Sequence, residues 1–390
     1  MPIAFHWFLP TNGDGRRLVE PAMAIPGLAG GQRPASFGYL TQVALAAESF
    51  GFLGALTPTG PWCDDAWITT AALAQRTERL KFLVAFRPGA MSPTLSAQMA
   101  ATYQFHTGGR LLLNVVTGGD DAEQRAYGDH LDKDGRYERC AEFLQIVRGL
   151  WTGGSVDFEG RHLHVEGGAL GRVPDPIPQV YFGGSSPPAL DVAARHVDVY
   201  LTWGEPPEAV AEKIGRVREL AEAQGRSVRF GIRLHVVSRD RSADAWAAAE
   251  ALLDGISDEE IAAVHTRMQR TQSEGQRRML ALHGGSRSQL EVAPNLWAGV
   301  GLARGGAGTA LVGSHEEVAD RIEEYAAIGL DEFVLSGYPH LEELYWFGEG
   351  VLPLLEARGA WKRPVGLAEG MRTGTIDAGG VSFGVVPERP

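Results

Sequence analysis

Eight short apolar runs, alternating with amphipathic segments, set the strongest limit on how this chain folds. The runs cover 3–9, 52–57, 80–86, 111–116, 180–182, 197–202, 228–237 and 332–335. Between them, apolar residues recur at helical spacing over 39–49, 94–105, 136–150, 207–223, 243–253 and 316–328. Strands separated by helices pair in parallel, because each helix carries the chain back across the sheet. Eight is also the number of strands that closes a TIM (β/α)8 barrel. The expected fold class is therefore α/β, a TIM barrel with insertions, and the rival is an open doubly wound sheet. No Gly-x-Gly-x-x-Gly turn follows the first run, which disfavours a dinucleotide-binding sheet.

The 390 residues exceed a typical domain, but barrels of this type run past about 250 residues as one unit. We expect a single domain over 1–363, insertions at about 11–36 and 258–310, and a Gly-rich C-terminal arm at 364–390. The first insertion contains Asn12-Gly-Asp-Gly15. The second mixes a helical stretch, 267–283, with Pro294-Asn-Leu-Trp297 and Arg304-Gly-Gly-Ala-Gly308. Connections this long are functional or disordered. Glycines around a lone arginine suit a lid that places one charge over a site, and equally a plain surface loop.

Net charge is -12 and no basic cluster stands out, so nucleic acid is not an expected partner. An anionic substrate would need a local basic pocket against this acidic background. The two cysteines, Cys63 and Cys140, make neither a disulfide framework nor a zinc set. The first residues lack a signal-peptide pattern, and no apolar run reaches membrane-spanning length. A cytoplasmic protein is the expectation. His162 and His164 sit at strand spacing in an expected hairpin, 155–165, without further ligands nearby in sequence, so no metal is expected.

In the run 228–237, Arg233 and His235 stand two residues apart. Strand side chains alternate, so both point one way with Gly231, and Ile232 and Leu234 point the other. A buried cation beside a titratable base reads as an anion site with proton chemistry. It reads equally as an arginine satisfied by a core carboxylate and a histidine tied to a carbonyl. His235 has the pKa class suited to acid–base work near neutral pH. Gly183-Gly-Ser-Ser186 follows the fifth run and precedes a helix near Pro187. Small residues there let backbone amides approach an anion.

Several longer motifs point further. Phe8-Leu-Pro-Thr-Asn-Gly-Asp-Gly15, Thr59-Gly-Pro-Trp-Cys-Asp-Asp-Ala-Trp67, Asn114-Val-Val-Thr-Gly118, Tyr181-Phe-Gly-Gly-Ser-Ser186, Phe230-Gly-Ile-Arg-Leu-His235, Arg304-Gly-Gly-Ala-Gly308 and Leu335-Ser-Gly-Tyr-Pro-His340 occur in this order. Together they resemble the two-component FMNH2-dependent alkanesulfonate monooxygenases of the bacterial-luciferase-like superfamily, over roughly 3–355. The resemblance implies a TIM barrel that uses O2 and reduced FMN as a co-substrate, delivered by an NAD(P)H-dependent FMN reductase. The reaction it implies cleaves the C–S bond of a sulfonate, releasing sulfite and an aldehyde. It also implies a homodimer or homotetramer.

By the same resemblance, Trp203, Arg233, His235, Tyr338 and His340 line the substrate and flavin pocket, and Arg304 is the mobile-loop arginine. Ser185 and Ser186 would hold the flavin phosphate, with Gly184, Tyr137 and Asn114 alongside. Cys63 would lie near the flavin. Asp64 and Asp65 beside it work against a thiolate, so it reads as pocket-lining or peroxide-stabilising rather than as a nucleophile. Cys140 and, on a plainer reading, Trp203 are core residues. The chain departs from the family pattern at Pro61-Trp62, where Arg-Ser is more usual, and in a longer loop after Gly15. Trp62 offers a flat face to a sugar ring or an alkyl chain. Sulfoquinovose and a linear alkanesulfonate therefore both stay open. Three rivals stand beside the monooxygenase: a deazaflavin-dependent oxidoreductase, a non-catalytic flavin-binding relative and a metal-dependent barrel hydrolase. The hydrolase is disfavoured because no His-x-His follows the first run.

Overall fold

The structure, a computed structural model, describes residues 2–18 and 33–364. Most of the first insertion and nearly all of the C-terminal arm expected from sequence lie outside the described residues. Thirteen strands are found among those described: β1 (Ala4–Phe8), β2 (Gly54–Thr57), β3 (Lys81–Phe86), β4 (Leu111–Val115), β5 (Val156–Glu159), β6 (His164–Gly168), β7 (Val180–Phe182), β8 (Val199–Trp203), β9 (Arg229–Arg239), β10 (Glu291–Ala293), β11 (Leu296–Trp297), β12 (Ala310–Ser314) and β13 (Glu332–Ser336). Eight of them close a parallel barrel in the order β1-β2-β3-β4-β7-β8-β9-β13, and β13 pairs back onto β1. These eight fall on the eight apolar runs of the sequence.

Side-chain alternation sorts each strand into an inner and an outer row. Phe8, Leu56, Leu83, Leu112, Tyr181, Val199, Leu201 and Val334 form one buried cluster inside the barrel. Residues of the opposite face, such as Phe5, Trp7, Ile232, Leu234 and Phe333, belong to the larger core under the helices. Gly231 belongs to the inner row. A Cβ there would come within 2.7 Å of the Leu201 side chain and 3.0 Å of the Glu332 carbonyl.

The inner row carries charge at its lower end. Glu332 is fully buried. It accepts hydrogen bonds from Tyr181 and His6, both at 2.8 Å, and pairs with Arg229. Burial opposes its ionisation, but His6, Arg229 and Tyr181 together outweigh it and hold the carboxyl below its ordinary range.

β9 is longer than its barrel partners. Its first half pairs with β8 and β13. Residues 235–239 continue upward and pair with β12 in parallel, and β12 carries the antiparallel β11 and β10. The second insertion is therefore structured. It holds helices Asp258–Gln269 and Glu274–His283, the small β10–β11 hairpin and a short helix, Val300–Ala303. Where the sequence predicts one helical stretch, 267–283, the chain forms the end of one helix and the whole of another. Ser273 caps the second helix, its hydroxyl accepting from Gln276 N at 3.2 Å. The hairpin expected at 155–165 is β5–β6. His162 and His164 turn to Glu138 and Glu166, and no group of three His, Cys, Asp or Glu side chains converges on a metal-sized site among the described residues. Among those residues, no helix is long and apolar enough to cross a membrane.

Candidate active site

The upper inner row of the barrel, where strand C-termini meet the loops, gathers the arginine and histidine of β9. Arg233 lies level with Trp203 of β8 and Val334 of β13, and His235 lies level with Ser336 and Ala310. Both are buried. Arg233 donates only to neutral acceptors: the carbonyls of Leu234 (2.6 Å) and Val334 (3.4 Å) and the Ser336 hydroxyl (2.9 Å). Its guanidinium sits 4.9 Å from the centre of the Phe8 ring. No carboxylate pairs with it among the described residues. Burial, with Arg304 adding repulsion, lowers its pKa to about 9, which still leaves it charged at neutral pH.

His235 is held at both nitrogens. Nε2 lies 3.1 Å from the Ala307 carbonyl and Nδ1 lies 2.7 Å from the Ser336 hydroxyl. A carbonyl can only accept, so Nε2 carries the proton and Nδ1 accepts from Ser336. A directed chain results, from Arg233 to Ser336 to His235 to Ala307. Burial first, then Arg233 and Arg304, push the His235 pKa well below its ordinary value. The proton exchange near neutral pH expected of His235 is therefore corrected. The ring stays neutral there and links Arg233 to the loop that carries Arg304.

That loop closes over the barrel. Arg304 donates to the Tyr338 hydroxyl, and the Tyr338 ring stacks on His235 at 5.5 Å. With its oxygen accepting from Arg304, Tyr338 keeps its own O–H to donate. Gln276 accepts from Gly306 N at 2.9 Å, Thr309 donates to Gly204 O, and Gln272 reaches Gly119 and Asp121 beyond β4. The insertion thus spans the mouth from β8 to β4. Arg278 of the second insertion helix pairs with buried Glu205, which also holds Lys213. Trp203 packs beneath this roof, where a Cβ on Gly275 would lie 3.2 Å from its ring.

His340 begins helix His340–Trp346 and is also buried. Its ring lies 5.1 Å from Tyr338 and 5.6 Å from Phe8. Arg233, His235, Arg304, Tyr338 and His340 therefore form one contiguous group. Sequence reasoning missed two of its members. Ser336 bridges Arg233 and His235, and its inward position two residues beyond Val334 was the available signal. Asp14, inside the Phe8–Gly15 motif, binds His340.

The remaining candidates sit on other elements: Asn114 on β4, Tyr137 on the helix Lys133–Trp151, and the rest on loops that follow barrel strands. Gly183 and Gly184 let the turn after β7 run close to its neighbours. A Cβ on Gly183 would meet Leu201 O at 2.8 Å, and one on Gly184 would meet Ala189 at 2.7 Å and lie 3.5 Å from the Tyr137 hydroxyl. Tyr200 pins the turn by donating to Gly184 O at 2.6 Å. Ser186 is the N-cap of helix Pro187–His196, yet its buried hydroxyl has no partner among the described residues. Pro187 and Pro188 remove two helix-terminal amides, so the hydroxyls of this turn carry more of any anion binding than the sequence suggested. Asn114 lies level with Tyr181 on β4 and is partly exposed.

Trp62 follows β2 and is 38% exposed. Cys63 contacts Gly60 O at 3.5 Å, and burial pushes its thiol up to about 12, which disfavours a thiolate. Cys140 is fully buried, and its thiol is likewise raised to about 12 by burial.

A closed parallel barrel with a roofed, cation-bearing mouth defines an enzyme of the barrel class, with its site at the strand C-termini. The chain belongs to the luciferase-like monooxygenase family, whose profile matches residues 3–332. Solved structures of the same fold include a riboflavin lyase with modified FMN and riboflavin (20% identity, 93% of each chain, TM-score 0.76). They also include DmoA from Hyphomicrobium sulfonivorans (20% identity, 95% of this chain and 92% of that one, TM-score 0.75). EDTA monooxygenase from Chelativorans sp. BNC1 is similar too (19% identity, 95% and 98%, TM-score 0.73).

Proposed function

We propose that the protein is a two-component organosulfonate monooxygenase, using reduced FMN from a separate NAD(P)H-dependent reductase and O2 to cleave a C–S bond. The observation that carries this reading is the pair Arg233 and Arg304. Neither arginine has a carboxylate partner among the described residues: Arg304 donates to Tyr338, and Arg233, held by Leu234 and Ser336, lies near enough to be repelled by Arg304, in a chain of net charge -12. A fixed anion of the substrate supplies the missing charge, and a sulfonate offers three oxygens to their N–H groups.

The unpartnered Ser186 hydroxyl, the Cβ-free turn at Gly183–Gly184 and the neighbouring Tyr137 fit a flavin phosphate. When bound, the flavin supplies the two electrons that activate O2. The protein's own groups orient the sulfonate (Arg233, Arg304), donate to developing negative oxygen (Tyr338) and shut out water through the 304–308 loop. The test is sulfite release from a panel of sulfonates with reduced FMN and a reductase supplied. No sulfite from any of them overturns the proposal. A deazaflavin reaction instead would run under nitrogen with that reduced cofactor and need no O2.

The lid role of Arg304 has its own expected result. Arg304→Ala loses the contact to Tyr338, one of the bonds that hold the loop over the site, and the charge it places there. Uptake of O2 should continue, but hydrogen peroxide should replace most of the sulfite, lowering coupling by about fivefold or more. Sulfite still matching O2 uptake one for one would show that the loop does not seal the site.

The substrate class turns on Trp62. Its indole is exposed at the mouth, ready to stack on a pyranose face. Trp62→Ala should lower kcat/KM on sulfoquinovose by roughly 5- to 30-fold, corresponding to about 1–2 kcal/mol of lost contact. A short alkanesulfonate such as ethanesulfonate should be little affected. Equal losses on both would assign Trp62 to the fold rather than to recognition.

A further inference from the structure

Asp14 lies in the neck of the first insertion, where its backbone bridges Arg33 in antiparallel fashion. The residue is only 2% exposed, and its carboxylate meets four donors. Oδ1 accepts from Gly15 N at 2.8 Å and from His340 Nδ1 at 2.9 Å. Oδ2 accepts from His340 N at 2.8 Å and from the Tyr39 hydroxyl. Burial works against ionisation here, but His340 and Tyr39 outweigh it and hold Asp14 below the ordinary carboxylate range.

An ionised carboxylate only accepts, so the proton of a neutral His340 ring sits on Nδ1. Nε2 is then the basic nitrogen. It is buried and has no hydrogen-bond partner among the described residues. The ring around it is framed by Phe8 and Tyr338, the same residues that border Arg233 and Arg304. Asp14 also grips the His340 amide, so it fixes the position of the residue as well as its tautomer.

We infer that Asp14 is a positioning residue that holds His340 as the Nδ1–H tautomer and presents its bare Nε2 to the substrate as a proton acceptor. The step it serves rests on the desulfonation proposed above. Once the carbon bearing the sulfonate has been hydroxylated, Nε2 takes the O–H proton. The freed O–H electron pair becomes the second bond of the aldehyde C=O. The C–S bond breaks, and sulfite leaves with its electron pair. Oxidation is complete before this step, so it needs no further oxidant.

The test reads the tautomer directly, in the full-length protein without substrate. Histidine 15N spectra, with His340 assigned by its loss in His340→Gln, should show a protonated Nδ1 and a bare Nε2 at about pH 9, well above the ordinary histidine range. A proton on Nε2, or on both nitrogens, at that pH overturns the inference. In Asp14→Asn the Nδ1–H preference should be lost. With sulfonate, kcat for sulfite release should fall on the order of 10- to 100-fold while KM changes less than about threefold, as for carboxylates that orient histidines elsewhere. Tyr39→Phe leaves the carboxylate in place and should keep the tautomer. Unchanged kcat in folded Asp14→Asn overturns the positioning role. If Asp14→Asn does not fold, the wild-type spectrum still decides. If no sulfonate is turned over at all, the desulfonation proposal fails, while the spectrum judges Asp14 by itself.

Discussion

Arg233→Ala will leave the barrel folded and lower sulfite production on the order of 100- to 1,000-fold. Arg233 is buried on a barrel strand and satisfied only by two carbonyls and one hydroxyl. None of these is an anion, so the protein itself does not use the charge for an ion pair. Removing it takes a fixed donor fork from whatever negative oxygen the reaction develops, a loss worth about 2.7–4 kcal/mol when one such donor is deleted in other enzymes. Stability should change little, because a buried charge without a carboxylate partner is itself costly. Lysine is not a substitute at this position, since a point charge cannot reproduce the planar fork, and Arg233→Lys should restore only a small part of the activity. Near-normal turnover in Arg233→Ala, measured as sulfite released per enzyme per unit time, would remove Arg233 from the site and with it the main support for a sulfonate.

The second large effect is on stability and lies at the opposite end of the barrel. Glu332→Gln should destabilise the protein by about 3–5 kcal/mol, the range seen when one partner of a buried ionic network is removed. His6, Tyr181 and Arg229 all converge on that carboxylate, whose side chain is 1% exposed. For a chain of this size the midpoint of thermal unfolding should fall by about 4–6 °C. The pH dependence follows from the direction of the shift. The native carboxyl ionises below its ordinary value of 4.5, so its contribution is complete above that value and is lost as pH falls through the lower native one.

The advantage of wild type over Glu332→Gln should therefore shrink in acid. His235 acts with the same sign at higher pH. Its native value is far below 6.5, so below about pH 6.5 the unfolded chain binds a proton that the native ring refuses, and stability declines. A Glu332→Gln protein within about 1 kcal/mol of wild type at neutral pH would show that the network is dispensable.

The barrel was legible in the sequence because its signal is local and repeated. Each strand is a short apolar run buried on both faces, and each is bounded by a helix with its own periodicity. β12 was not legible: Ala310–Ser314 is a short run just after the glycine-rich 304–308 loop, too short to distinguish a strand from a turn. The two insertion helices merged into one for a related reason. The capping boundaries at Ser257 and Ser273 were present in the sequence, but the polar stretch between the helices does not break the apolar spacing strongly.

The strand alternation in 228–237 determined by itself that Arg233 and His235 share a face with Gly231, because a strand has no other way to arrange them. It left open which of two environments they meet. Only the tertiary structure decided that Arg233 has no carboxylate among the described residues, that Ser336 joins it to His235, and that the His235 ring is neutral. Those facts depend on β13 lying beside β9 and on a loop 72 positions away supplying the Ala307 carbonyl. Asp14 and His340 are 326 positions apart and meet because β13 pairs with β1 to close the barrel. A segment's residues determine which groups it can offer. Ring closure, which brings the two ends of the barrel's chain together, decides which of them face each other.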